Sequence, residues 1–231
     1  MIISVSHQKG GVGKSTLAYN IAVELSKLYL VEIVDLDVQQ TLTACNIIRG
    51  KFDQKQLLIY SFSENREFIE YLNKDDDQKI TIIDTGGFDS GLNRVAIYAS
   101  DYILTPVSTE FLEIIGLEKY KKILKEVSQK IGKKVKTHVV LNKIHHAQQN
   151  FEDISQFINN ASDQFELLDS KIRRRSDFAI SLSHGFSVCE FDDSSDSSRE
   201  IKCLINEILS QCDLPIKKLK IKTRRKKVKN G

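Results

Sequence analysis

The chain has 231 residues, 41% of them hydrophobic and 28% charged, with a formal net charge of +3. This is ordinary globular usage, which excludes wholesale disorder and leaves room for one substantial α/β core. No apolar run approaches the ~20 residues needed to cross a bilayer, and the N-terminus enters a strand-like segment without a secretory signal, so a cytoplasmic location is expected.

Short β-branched runs at 2–6, 30–34, 57–62, 80–83, 102–107 and 135–141 read as buried strands. Segments of helical period lie between most of them. Thr16 to Leu28 places Leu17, Ile21, Leu25 and Leu28 on one stripe, and Phe111 to Ile131 does the same with Ile114, Leu117, Ile123, Leu124 and Val127. Further on, helices are predicted over Phe151 to Ala161 and Ser198 to Ile208, with a short strand near "FELLDSKI" between them. The polar run "DDSSDSS" at 192–198 reads as a loop whose serines cap the following helix. Alternating strands and helices, with strands that are continuous apolar runs, predict a doubly wound α/β fold: a mostly parallel sheet with helices on both faces.

Charge divides the chain at residue 213. From Leu214 to Gly231 there are nine basic residues and no acid, which leaves 25 Lys and Arg against 31 Asp and Glu in residues 1–213. Residues 1–213 are therefore the expected folded domain, and 214–231 a basic tail too polar to pack. The four cysteines form no C-x-x-C pair and the five histidines show no metal-site spacing, so zinc and redox motifs are not indicated.

Residues 7–16 read "HQKGGVGKST". Gly10, Gly11 and Gly13, with Val12 between them, let the backbone turn tightly and aim its N–H groups at a phosphate chain, and the helix that follows adds its positive N-terminal dipole. Lys14 then reaches the β/γ-phosphates, Ser15 offers a hydroxyl to Mg²⁺, and Thr16 completes the loop. A strand before and a helix after supply the context that this chemistry requires. The general phosphate loop would need glycine at position 8, where this chain has Gln8, and it gives no use for Lys9 beyond a solvated loop charge.

This Lys-Gly-Gly-x-Gly-Lys-[ST] pattern resembles the deviant Walker A motif of the ParA/MinD family of ATPases, which partition plasmids and chromosomes or place division machinery. The resemblance extends over residues 1 to about 210 and is nearest to small ParA proteins. It implies that Lys9 crosses a dimer interface to the nucleotide of the other subunit, where a second cation would stabilise charge developing during phosphoryl transfer. "IVDLDVQQ" at 33–40 resembles the family's D-x-D-x-Q segment, by which Asp37 orients or activates the attacking water, while Val38 and Gln40 depart from the usual proline and glycine. "ITIIDTGG" at 80–87 ends an apolar strand in Asp84, which would hold Mg²⁺ through water. Gly86 and Gly87 replace two prolines common in the family and predict a looser loop. "VVLNKI" at 139–144 resembles the strand whose asparagine contacts adenine, here Asn142.

The output implied is DNA segregation. A homodimer formed on ATP binding would bind DNA without sequence preference and hydrolyse ATP, weakly alone and faster with a ParB-like partner, giving a nucleoid-associated protein. Candidate DNA contacts are Lys171, Arg173, Arg174, Arg175, Arg199 and Lys202, together with Arg224, Arg225, Lys226 and Lys227 of the tail. The chain opens directly on its first strand, so sequence-specific recognition is expected to rest with the partner. MinD-like positioning of a membrane or polar machine is the alternative. The tail lacks Phe and Trp and is almost wholly basic in its second half, a composition that favours polyanion binding over membrane insertion.

Overall fold

A computed structural model describes residues 1–74, 79–109 and 111–212. Seven parallel strands form one sheet, in the order β3-β2-β4-β1-β5-β6-β7. They are β1 (Ile2–Val5), β2 (Leu30–Asp35), β3 (Leu58–Tyr60), β4 (Lys79–Asp84), β5 (Tyr102–Val107), β6 (Thr137–Ile144) and β7 (Phe165–Arg173). The helices between them are α1 (Lys14–Leu25), α2 (Thr41–Lys51), α3 (Asn65–Leu72), α4 (Gly91–Ala99), α5 (Phe111–Ile131), α6 (Glu152–Asn160), α7 (Asp177–Ser183), α8 (Val188–Phe191) and α9 (Asp196–Gln211).

Alternation along the strands explains why both faces are covered. Ile3 and Val5 of β1, Ile33 of β2 and Ile82 of β4 pack with Leu17, Ile21 and Leu25 of α1 and with Ile201, Leu204 and Ile208 of α9. Ile103 and Val107 of β5 and Val139 of β6 instead meet Leu117, Leu124 and Val127 of α5 and Ile154 and Ile158 of α6. A third cluster seats Phe68 of α3 and Ala96 of α4 on Val34 and Ile83. Neighbouring strand residues point to opposite faces, so continuous apolar runs are what a sheet buried on both sides demands.

The boundaries depart from expectation where local chemistry intervenes. α1 starts two residues early, because Gly13, at φ 96°, turns the chain directly into the helix. α9 starts at Asp196 and not Ser198, since Ser195 alone caps it by accepting from Ser198 N. β6 runs on to Ile144 through a bulge at 142–143, where Leu141 and Ile144 pair with Lys171 and Arg173. α8 is a single turn held by a capping box in which the Ser187 hydroxyl accepts from Glu190 N and the Glu190 carboxylate accepts from Ser187 N. The basic tail, with Arg224, Arg225, Lys226 and Lys227, lies outside the described residues. No described helix is long and apolar enough to cross a membrane.

β1 is central, and the chain winds outward from it toward β3 on one side and β7 on the other. Open α/β sheets bind ligands at this reversal, beyond the carboxyl ends of the strands. The segments 6–13, 36–40, 85–90 and 108–109 all emerge there.

Candidate functional site

The loop after β1 lies over the start of α1 and needs its glycines. At Gly13 the backbone is left-handed and a Cβ would collide with the Asn142 side-chain amide. Asn142 is buried and its Nδ2 donates to Val12 O at 2.7 Å, so it fixes the loop from the end of β6. The β6 bulge sets Lys143 at φ 56°, and its Nζ donates to Gly11 O at 2.7 Å.

Lys14 is 5% exposed, and its Nζ donates to the carbonyl of Lys9 at 3.0 Å. Burial lowers its pKa, while Asp84 and Asp37 act in the opposite sense. Asp84 ends β4 in register with Val5 of β1 and Asp35 of β2, and it is fully buried. Burial pushes its pKa up to about 8, opposed by the facing Ser15 hydroxyl and by Lys14. Among the described residues neither of its oxygens closes a hydrogen bond of good geometry. A buried carboxyl so placed, with Lys14 and the Ser15 hydroxyl nearby, has capacity for a further cation.

The two acids at the end of β2 divide their work. Asp35 is buried; its Oδ2 accepts from Thr43 N and Oγ1, each at 3.2 Å, and its Oδ1 from Asp37 N at 3.2 Å, so it closes the first turn of α2. Asp37 is half-buried, and its Oδ1 accepts from Gln39 N in the following turn at 2.9 Å. Gln40 stands at φ 46°, a left-handed conformation that explains why glycine is usual there.

The loop after β4 is tied down, not loosened. Asn93 of α4 accepts from Gly86 N at 3.2 Å through its Oδ1, and its Nδ2 donates to the carbonyls of Gly86 at 3.1 Å and Phe88 at 2.5 Å. A proline at 86 would lose that N–H donor. At Gly87 a Cβ would stand 2.9 Å from Gly10 Cα and 3.6 Å from Lys14 Nζ, so glycine allows this loop to press on the phosphate loop.

An open cavity of about 590 Å³ adjoins the loop. It is lined by Lys9–Val12 and Thr16, by Ser108 and Glu113 after β5, by Asn142 and Lys143, and by Arg173–Arg175 and Phe178 after β7. Of eight buried side-chain polar atoms without a partner among the described residues, six belong to His7, Gln8, Asp84, Ser108 and Glu113, around this loop. Such clustering marks a place built for a polar ligand and not for stability alone.

The residues present suit a nucleoside phosphate with a hard divalent cation. Lys14 and the loop at the start of α1 suit a negative group, and Ser15 and Asp84 carry oxygens that could serve as ligands. Among the described residues no group of three or more His, Cys, Asp or Glu could hold a metal. Mg²⁺ needs none, because it keeps waters and takes one or two carboxylates with phosphate oxygens.

The predicted DNA-binding residues separate. Arg173, Arg174 and Arg175 line the cavity, and Arg175 is paired with Glu200 at 2.8 Å and Asp196 at 3.5 Å. Glu200 also accepts from Arg173 N at 3.0 Å, which binds this segment to α9. Arg199 pairs with Asp196 at 2.9 Å, and Lys202, 5% exposed, pairs with Asp193. Lys171 and Arg174 remain exposed. Arg175, Arg199 and Lys202 of the expected cluster are thus paired with acids of α9 and the loop before it. Glu113, Lys143 and Asn93 are site residues that sequence reasoning missed.

Residues 3–188 match the profile of the CobQ/CobB/MinD/ParA nucleotide binding domain. No curated protein matches the chain significantly by sequence. Among solved structures, a variant of Cyanothece McdA in complex with ATP is similar at a TM-score of 0.70 and 16% identity, covering 92% of this chain and 97% of that one. A plasmid partition protein from Borrelia burgdorferi bound to AMPPNP gives 0.63 and 17%, covering 91% and 99%. The septum site-determining protein MinD of Pyrococcus horikoshii, complexed with Mg-ADP, gives 0.63 and 16%, covering 93% and 99%. At these identities the likeness is one of fold.

Proposed function

This chain belongs to the CobQ/CobB/MinD/ParA nucleotide-binding family, and from that premise we propose that it is a Mg-dependent ATPase of the ParA type, acting in DNA segregation through an ATP-dependent homodimer. The observation that carries this is the meeting of Lys14 with the orphaned carboxylate of Asp84 beneath a loop that holds a second lysine, Lys9, at its rim.

Each residue has a physical role. The amides of Gly10 to Thr16 and Lys14 would hold the phosphates, and Ser15 and Asp84 the Mg²⁺, whose chemistry is neutralisation of phosphate charge. Asn142 keeps the loop in shape through Val12 and borders the space where a base would lie. Asp37, half-buried in the loop after β2, would position the attacking water. Lys9 would complete the site of a second subunit.

Contact with DNA would fall to Lys171, Arg174 and the basic tail, and stimulation of hydrolysis to a ParB-like partner. The structural neighbours include partition proteins and MinD alike. DNA is preferred because the tail is rich in cations and lacks the bulky aromatic residues that insert into a membrane. The test is sedimentation with ATP and Mg²⁺, with and without a random-sequence duplex. Wild type is expected to dimerise and bind the duplex only with ATP, and Lys14→Ala to do neither. ATP-dependent dimerisation and DNA binding by Lys14→Ala would refute the proposal, and flotation with anionic vesicles without DNA retention would move the protein to the MinD-like role.

A further inference from the structure

Lys9 does not point freely away from its subunit. Its Nζ is ion-paired with Glu113 Oε1, in the first turn of α5. Glu113 is 2% exposed, whereas the Lys9 side chain is 35% exposed, so the anchor is buried and the lysine lies across its mouth. The N-terminal end of α5 favours a carboxylate there. The other Glu113 oxygen has no hydrogen-bond partner among the described residues. Lys9 is therefore the cation that balances this buried charge, and withdrawing it leaves a carboxylate that is strongly disfavoured in the interior.

The main chain of Lys9 is held at both ends. Its N–H donates to His7 Nδ1 at 2.9 Å, and its carbonyl accepts from Lys14 Nζ at 3.0 Å. Release of the side chain is thus a rotation about a fixed backbone. The loop also satisfies its own two lysines, Lys14 on Lys9 O and Lys9 on Glu113.

We propose that Glu113 is a positioning residue that holds Lys9 within its own subunit and thereby sets the threshold for ATP-dependent pairing of two copies. Lys9 has two alternative anionic partners, Glu113 in its own chain and the phosphates bound by the other, and the balance between them fixes how much ATP is needed to assemble the dimer. This rests on the trans role of Lys9 proposed above.

Glu113→Gln keeps the shape of the side chain and removes its charge. Dimer formation would be followed by analytical ultracentrifugation against ATP at fixed Mg²⁺, and hydrolysis by phosphate release without DNA or partner. The ATP concentration for half-maximal dimerisation should fall by about tenfold, and turnover without a partner should rise several-fold. Both effects should vanish in the Lys9→Ala background, as a double-mutant cycle requires when two residues act through one contact. Glu113→Asp, which keeps the charge, should stay near wild type and covers the case in which Glu113→Gln folds poorly. An unchanged half-point in a folded Glu113→Gln, or equal effects with and without Lys9, would overturn the role of Glu113 while leaving the ATPase proposal intact. A wild type that never dimerises with ATP would overturn both.

Discussion

The ammonium of Lys14 donates to the carbonyl of Lys9 at 3.0 Å, so the two lysines of the loop are joined through its own backbone. Lys14 is buried against that backbone, and Lys9 at the rim of the cavity is turned inward onto α5. Such a loop is set to exchange partners rather than to be built by its ligand.

From this exchange follows a separation of effects. Lys14→Ala should lower ATP affinity by at least tenfold, because a charge-assisted contact to phosphate contributes about 1.5–3 kcal/mol. Lys9→Ala should leave binding of ATP to the monomer nearly unchanged while abolishing hydrolysis and weakening the dimer. Titration of a fluorescent ATP analogue beside steady-state phosphate release separates the two, and wild-type turnover in Lys9→Ala would return that lysine to a surface charge.

Asp84 makes the site pH-dependent. Its carboxyl is raised from an ordinary 3.8 to about 8 by burial, so near neutral pH the ligand-free protein holds it mostly protonated. A bound cation favours the anion, and Mg-ATP binding should release about one proton at pH 7 and tighten as pH rises toward 8.5. Calorimetry in two buffers of different ionisation heat measures that proton, and Asp84→Asn should abolish it. Stability has the matching sign. The folded pKa lies above the unfolded one, so the contribution of the protonated form is complete below about pH 4 and is lost as pH rises through 8. Asp84→Asn should gain thermal stability over wild type progressively from pH 5 to pH 8.5.

The loop after β4 gives a prediction about backbone donors. Gly86→Pro, which restores the more usual residue, removes the N–H that Asn93 accepts at 3.2 Å and leaves that buried oxygen unpaired. The cost is about 1–3 kcal/mol. Differential scanning calorimetry should show a melting temperature several degrees lower, and wild-type melting would show that Asn93 does not constrain this loop.

Much of this was legible in the sequence because it rests on periodicity and on glycine. The apolar runs from "IISV" to "YILTPV" announce a sheet buried on both faces, and Gly13 and Lys14 announce a phosphate site wherever a strand precedes and a helix follows. Contacts that depend on long-range geometry were not legible. Glu113 reads as any first-turn acid of a helix, and only the fold brings it to Lys9, 104 residues away. Lys143 should point away from Asn142 in a regular strand, and a bulge turns it to the loop instead. "KIRRR" and "SSRE" read as exposed cations, yet the first turn of α9 sets Asp196 and Glu200 against Arg175, and Asp196 against Arg199.

That neutralisation decides where DNA binding should reside. Lys202 is buried against Asp193 and Arg199 is paired with Asp196, so alanine at either should act mainly on stability and leave the salt dependence of DNA binding unchanged. The nine cations of residues 214–231 have no acid among them. Each phosphate neutralised adds about 0.9 to the slope of log affinity against log salt. A chain ending at Cys212 should therefore still dimerise with ATP but lose DNA affinity, with its slope reduced by ~3 or more. Fluorescence anisotropy of a labelled random duplex between 50 and 200 mM salt, with ATP present, measures both quantities. If the slope survives truncation but falls with Lys171→Ala and Arg174→Ala together, the folded body carries the DNA and the tail serves some other anionic surface.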